Sequence, residues 1–166
     1  MREANSDKQE VVAPVYAFVE AYERGDLDAI LELWTPDAIN HAGLTPAAER
    51  EARAASRLPA GREGLRVVFT SLLTAFPDRK WHIEEILVDG DKVICRFTVS
   101  GTHTGRPQFP VEGGPLLQQI EPRSMAYSIA HIHIFRVEDG KLAEHWAVRD
   151  DLGLLRQLGA FPVDRS

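Results

Sequence analysis

DGKLAEHWAVRDDLGLLRQLG, residues 139–159, is the stretch on which the fold turns. Asp139-Gly140 supplies turn residues, and KLAEHWAV (141–148) alternates like a strand. Asp150 or Asp151 stands where a helix cap belongs, and Leu152–Leu158 reads as a short helix closed by Gly159. Upstream, YSIAHIHIFRV (127–137) alternates in the same way, so the two runs form a hairpin. A three-residue loop, Glu138-Asp139-Gly140 with Gly140 left-handed, gives a type I turn plus bulge and pairs Val137 with Lys141. Counting back, His133 falls opposite His145, and His131 opposite Ala147. Paired residues share a face, so His131, His133, His145 and Ala147 line one surface, together with Tyr127, Ile129 and Phe135. A two-residue loop would shift the register and bring Trp146 beside His133.

Working outward, WHIEEILV (81–88) and KVICRFTVS (92–100) flank Asp89-Gly90-Asp91, a second hairpin. The stretch between the hairpins, about 104–125, is rich in proline and glycine and is expected to be a lid or binding loop. The first half reads as helices. Ser6 to Gln9 has capping-box spacing, and Val11, Val15, Phe18 and Tyr22 follow at helical intervals up to Gly25. Asp26 can cap a second helix through Leu27, Ile30, Leu31 and Trp34, limited by Pro36. Residues 44–60 suggest a loose surface helix, and 62–76 an amphipathic helix stopped by Pro77. Helices first and strands later predict an α+β fold, with the helices on one face of an antiparallel sheet.

The length of 166 residues fits a single domain over 1–166. A formal net charge of −6 is the wrong sign for a protein that neutralises phosphates, so no nucleic-acid partner is expected. The single cysteine, Cys95, lies in a strand-like run and reads as a buried structural thiol. The polar start MREANSDKQE has no hydrophobic signal core, and no segment is apolar enough to span a membrane. The expectation is a cytoplasmic protein without a membrane partner.

Three histidines on one face beside aromatics point to a pocket. His-x-His on a strand can chelate zinc, but no carboxylate or cysteine stands close by, so neither a metal nor a cofactor is expected. His82 and His103 read as structural or surface residues, and the tryptophans as packing residues. One of Asp150 and Asp151 is needed as the helix cap, and Arg149 can pair with either.

The runs VEAYERGDLDAI (19–30), GREGLRVVFTSLLTAFPD (61–78), VDGDKVICRFTVSGTHTG (88–105) and FRVEDGKLAEHWAVRDDLGLLRQLG (135–159) together resemble the SnoaL-like polyketide cyclases, of the nuclear-transport-factor-2-like superfamily. The resemblance implies a cone-shaped, cystatin-like α+β barrel, in which a curved antiparallel sheet wraps around the N-terminal helices and encloses a ligand cavity. The family's pocket histidine on the penultimate strand falls on His133, and its aromatic near the end of the first helix on Tyr22. Asn40 and His41 match a position at the pocket mouth. The family's acid/base aspartate falls on Ala147, which cannot carry a proton.

The reaction implied is an intramolecular aldol closure on a polyketide-like or other carbonyl-bearing small molecule. A base removes a proton beside one carbonyl, the enolate attacks another, and the alkoxide is protonated. Histidine titrates in the right range for such work. The candidate catalytic residues are His133, His145 and Asp150. The candidate substrate-binding residues are Tyr22, Asn40, His41, Tyr127, His131, Phe135 and Ala147. Two alternatives stand beside this reading: a non-catalytic binding protein that has lost its carboxylate, and a dehydratase, isomerase or epoxide hydrolase on the same fold. A homodimer formed through the outer sheet face is the expected assembly.

Overall fold

The computed structural model describes residues 3–41, 59–108 and 120–160, with side chains from residue 8 onward. The expected helix over 44–60 and the centre of the 106–126 segment lie outside the described residues. The first helix, α1 (Glu3–Glu23), starts earlier than the capping-box spacing suggests. Ser6 lies inside it, because Glu3 and Ala4 tolerate helical geometry and extend the run. Its far end is closed by Gly25 at φ 66°, with Gly25 N–H bonded to Tyr22 O and Asp26 N–H to Ala21 O. That pair of bonds is a Schellman cap, and it fixes Tyr22 in the last turn. Asp26 then caps α2 (Leu27–Glu32) by accepting from Ala29 N–H at 3.0 Å.

Trp34 does not continue α2. It opens β1 (Trp34–His41), a strand that the helical reading of Ile30, Leu31 and Trp34 obscured. Pro36 is tolerated because β1 is an edge strand, with an irregularity between Trp34 and Ile39. Then come α3 (Gly61–Ala75), β2 (Lys80–Asp89), β3 (Lys92–His103), β4 (Met125–Glu138), β5 (Lys141–Arg149) and α4 (Asp151–Gln157). Among the described residues the strands form one curved sheet, ordered β1-β5-β4-β3-β2. Its neighbours are antiparallel except β1 with β5, which run parallel.

The β4–β5 turn corrects the expected register. It has two residues, Asp139 and Gly140 with φ of 50° and 72°, and Glu138 pairs with Lys141. Both central residues are left-handed, the type I′ geometry whose twist matches a hairpin. A bulge then follows between Arg136 and Val137, where Val137 faces Leu142 and Arg136 faces Glu144. Turn and bulge together move the pairing by two residues, so His133 meets Ala147, His131 meets Arg149 and Phe135 meets His145. A two-residue shift preserves the face, so the three histidines still point the same way, and Trp146 pairs with Ile134 instead.

Helix α1 lies across this face and touches β2, β3, β4 and β5. Val93, Cys95, Phe97 and Val99 of β3 and Tyr127, Ile129, Phe135 and Val137 of β4 are buried beneath it. Phe18 is the hub, with Tyr22, Trp34, Phe69, Trp81 and Phe135 at ring distances of 5.7 to 6.0 Å. Burying such a ring contributes about 2–3 kcal/mol, and the tilted and edge-on pairings add to it. Cys95 is fully buried, and desolvation pushes its thiol up to about 12, as befits a packing residue. No described helix is long and apolar enough to cross a membrane.

Candidate functional site

The inner face of β4 and β5 carries a run of side chains bonded ring to ring. His131 Nδ1 lies 3.0 Å from His133 Nε2, and His133 Nδ1 lies 2.7 Å from His145 Nε2. His145 Nδ1 lies 2.8 Å from Asn40 Oδ1. Strand pairing explains the last link, because Asn40 is the direct partner of His145 across the parallel β1–β5 ladder. With the Asn40 oxygen toward His145, one proton direction follows. The amide oxygen only accepts, so His145 Nδ1–H donates to it. His145 Nε2 then accepts from His133 Nδ1–H, and His133 Nε2 accepts from His131 Nδ1–H. The chain ends at His131 Nε2, which is buried and has no hydrogen-bond partner among the described residues.

All three imidazoles are held neutral. Burial brings His131 down to about 3, with Arg79 and Arg149 adding in the same direction. Burial also brings His145 to about 3, helped by Arg149 and His41. His133 is pushed well below its ordinary value by desolvation and by the histidines on either side. Aromatic rings form the walls. Trp81 stands edge-on to His131 and His133 at 5.7 and 5.2 Å, and Phe135 packs against His133 and His145.

The other residues singled out in the sequence divide between two regions. Ala147 lies directly across from His133, so a carboxylate at this position would face that ring. Tyr22 and Tyr127 are buried on the inner side, and both flank Arg79. His41 is turned away from Asn40, its neighbour on β1. It stacks flat on Trp146, with centroids 4.3 Å apart, and bonds Glu144 at 2.8 Å. Hydrogen bonds from His41 and Arg136 keep the Glu144 carboxyl below its usual value. The Asp150 side chain caps α4, accepting from Gly153 N–H at 2.8 Å. Arg149 reaches Asp151 instead, so the Arg149-Asp150-Asp151 run does not converge as epoxide opening would need. His103 is buried against Phe76 rather than at the surface, while His82 is exposed. An open crevice of about 640 Å³ lies elsewhere, between α1, α2 and the β4–β5 turn, and none of the candidate residues lines it.

The sequence reading passed over Arg79. It is 7% exposed and is enclosed by the rings of Phe76, Tyr22, Trp81 and Tyr127. The one signal available was a charged pair, Asp78-Arg79, between a helix and a strand, and such pairs are usually solvated.

Comparison with known proteins identifies the family. Residues 13–158 match the family model described as SnoaL-like polyketide cyclase. Aklanonic acid methyl ester cyclase DauD from Streptomyces sp. (strain C5) is 29% identical over 147 residues, covering 87% of this chain and 79% of the relative. DnrD, the enzyme of the same name from Streptomyces peucetius, is also 29% identical, covering 87% and 88%. The solved structure of TsrD from Streptomyces laurentii superposes with a TM-score of 0.68 at 28% identity, covering 92% of this chain and 96% of that one.

Proposed function

Since the chain belongs to the SnoaL-like polyketide cyclase family, we propose that it closes a ring on a carbonyl-bearing polyketide by moving one proton, without a cofactor. The observation that carries the reading is the histidine chain ending in an unpartnered nitrogen, His131 Nε2. In that reading His131 Nε2 takes the proton beside a carbonyl, the enolate carbon attacks a second carbonyl, and the new alkoxide takes the proton back. One C–H bond and the π bond of the attacked carbonyl break, one C–C and one O–H bond form, and no proton is gained or lost overall.

The linked rings carry the charge away from the substrate, while the loss of driving force remains, because His145 is itself held at about 3. A lone base held near 3 gives up about 5 kcal/mol of driving force at neutral pH, at about 1.4 kcal/mol per unit. Three linked rings share the incoming proton. As His131 Nε2 is protonated, its Nδ1 proton moves to His133 Nε2, and the His133 Nδ1 proton moves to His145 Nε2. The charge then rests on His145, two rings away from His131 and bonded to the Asn40 oxygen. Both ring nitrogens of His133 are engaged, so His133 acts here as the relay and His131 as the group that meets the substrate. Asp150 keeps its place as a helix cap.

The test is turnover of aklanonic acid methyl ester, the substrate in the names of the two relatives, followed by mass spectrometry and chiral chromatography. Stereospecific closure above the buffer rate is expected. His131→Ala should lower it by about 10²-fold or more, the usual size of a general acid–base contribution. Full activity in that variant would sink the assignment.

A second reading, ligand binding without chemistry, is favoured by Ala147 standing where a carboxylate would face His133. Return of the ester unchanged, with retained affinity, would support it. The proposed assembly is a homodimer through the outer sheet face, where Leu87, Ile132 and Val148 are exposed. A sedimentation mass of one chain would refute it.

A further inference from the structure

Arg79 is a buried cation with no carboxylate counter-ion among the described residues. Its sequence neighbour Asp78 is bonded to the backbone and hydroxyl of Thr102. Its Nε–H donates to the Tyr127 hydroxyl at 2.8 Å. The Tyr22 ring stands on the guanidinium as well, no carboxylate among the described residues meets its other N–H donors, and the group cannot shed its charge. The aromatic rings around it, Phe76 at 4.6 Å and three others at 5.9 Å, offset part of the desolvation cost. They supply no acceptor. An uncompensated buried charge is costly in free energy and is rare without a use.

Around it stand further orphaned polar atoms. Among the described residues, the Tyr22 hydroxyl, Trp81 Nε1 and His131 Nε2 are all buried without a hydrogen-bond partner. Trp81 joins them in space: its ring lies 5.5 Å from that of Tyr22, 5.7 Å from that of His131 and 5.9 Å from the Arg79 guanidinium. One arginine, one phenol and the terminal imidazole of the histidine chain thus pack around one indole. Three of the four donate, which is what a negatively charged oxygen requires.

We propose that Arg79 is an anion-binding residue of this site, seating a negatively charged oxygen of an aromatic ligand, such as a carboxylate or an enolate, with Tyr22 and Trp81 beside it. The assignment deepens the ring-closing reading, in which the same oxygen would be the enolate formed when His131 takes its proton. It also explains why a cation is kept beside histidines whose protonation it opposes: the anion that forms cancels it.

The probes are 2-naphthoate and its neutral methyl ester, titrated calorimetrically into the full chain at pH 8 and constant ionic strength. Wild-type protein is expected to prefer the acid by about 10- to 100-fold, the range of a charge-assisted hydrogen bond. Arg79→Gln should abolish that preference while leaving the ester's affinity within about threefold. Arg79→Lys should keep part of it, as a point charge without the fork. Thermal melting separates a structural role. A binding arginine held at a cost predicts that Arg79→Gln melts no lower than wild type. Equal or absent binding of the two probes by wild type overturns the proposal, whether or not a variant folds. So does a retained preference in Arg79→Gln, or a lowered melting point with the preference unchanged. Failure of ring closure alone would leave the acid preference intact, so the two readings fail separately. Arg79→Gln turnover distinguishes the source: loss in kcat assigns the enolate, and loss in KM a carboxylate on the substrate.

Discussion

Asp150 shows how one side chain's work is decided by its nearest donor. Its carboxylate is held by the Gly153 N–H, and a Cβ on Gly153 would come within 2.1 Å of that carboxylate. Asp150→Ala should cost about 1 kcal/mol in a urea melt, the usual loss for an N-cap, and Asp150→Asn, which still caps, almost nothing. Neither should change ring-closing turnover by more than about twofold, since the residue lies off the histidine chain. A large fall in kcat with Asp150→Asn would return it to the chemistry. The same residue scale explains what was legible beforehand. Alternation along a strand is a property of the backbone, so His131, His133 and His145 could be placed on one face from sequence. The bonds between them depend on ring rotation and on Asn40, which arrives from a strand that sequence reading missed. Burial of Arg79 depends on four rings from three separate segments, and no local pattern encodes that.

At the scale of elements, the β4–β5 hairpin carries the clearest lesson. Asp-Gly is a type I′ signal, and the turn obeys it, yet two-residue pairing alone would have set Trp146 against His133. The bulge restores the parity, and it has no sequence mark beyond the small Ala143 between Leu142 and Glu144. Gly140 at φ 72° has open space around its missing Cβ, so only backbone conformation penalises a side chain there. Gly140→Ala should cost about 1 kcal/mol, and Asp139→Asn should stabilise by a few tenths, as Asn suits the left-handed region better. Denaturant midpoints measure both. Unchanged stability in Gly140→Ala would mean that the turn relaxes to another type, and the histidine pairing downstream would then shift, visibly in the imidazole NMR signals. Helix α1 was legible because period and Schellman glycine agree. Strand β1 was not, since Ile30, Leu31 and Trp34 keep a helical period past the point where parallel pairing with β5 takes over.

Across the whole molecule, the neutral histidines tie stability to pH. His131 sits at about 3 in the folded chain, against about 6.5 when exposed. Above pH 6.5 neither state binds its proton. Between 6.5 and 3 the unfolded chain takes up a proton that the native one refuses, so stability falls as pH falls. At pH 5 the loss from His131 alone is about 2 kcal/mol. His133 and His145 act in the same direction, because burial, and after it neighbouring charges such as Arg149, opposes charge on each ring. The lowered carboxyls of Asp78 and Glu144 add their losses as pH falls from the ordinary carboxylate range through their lowered values. Urea melts at pH 7.5 and 5 should therefore show a drop in wild type that exceeds the drop in His131→Asn by about 2 kcal/mol. Equal drops would mean that His131 is not held neutral. The functional counterpart is a flat profile: from pH 6 to 8 the chain keeps one charge state, so its contribution to kcat should not vary until the fold itself yields in acid. A bell centred near 6.5 would place the working base outside the chain and remove His131 from the reaction.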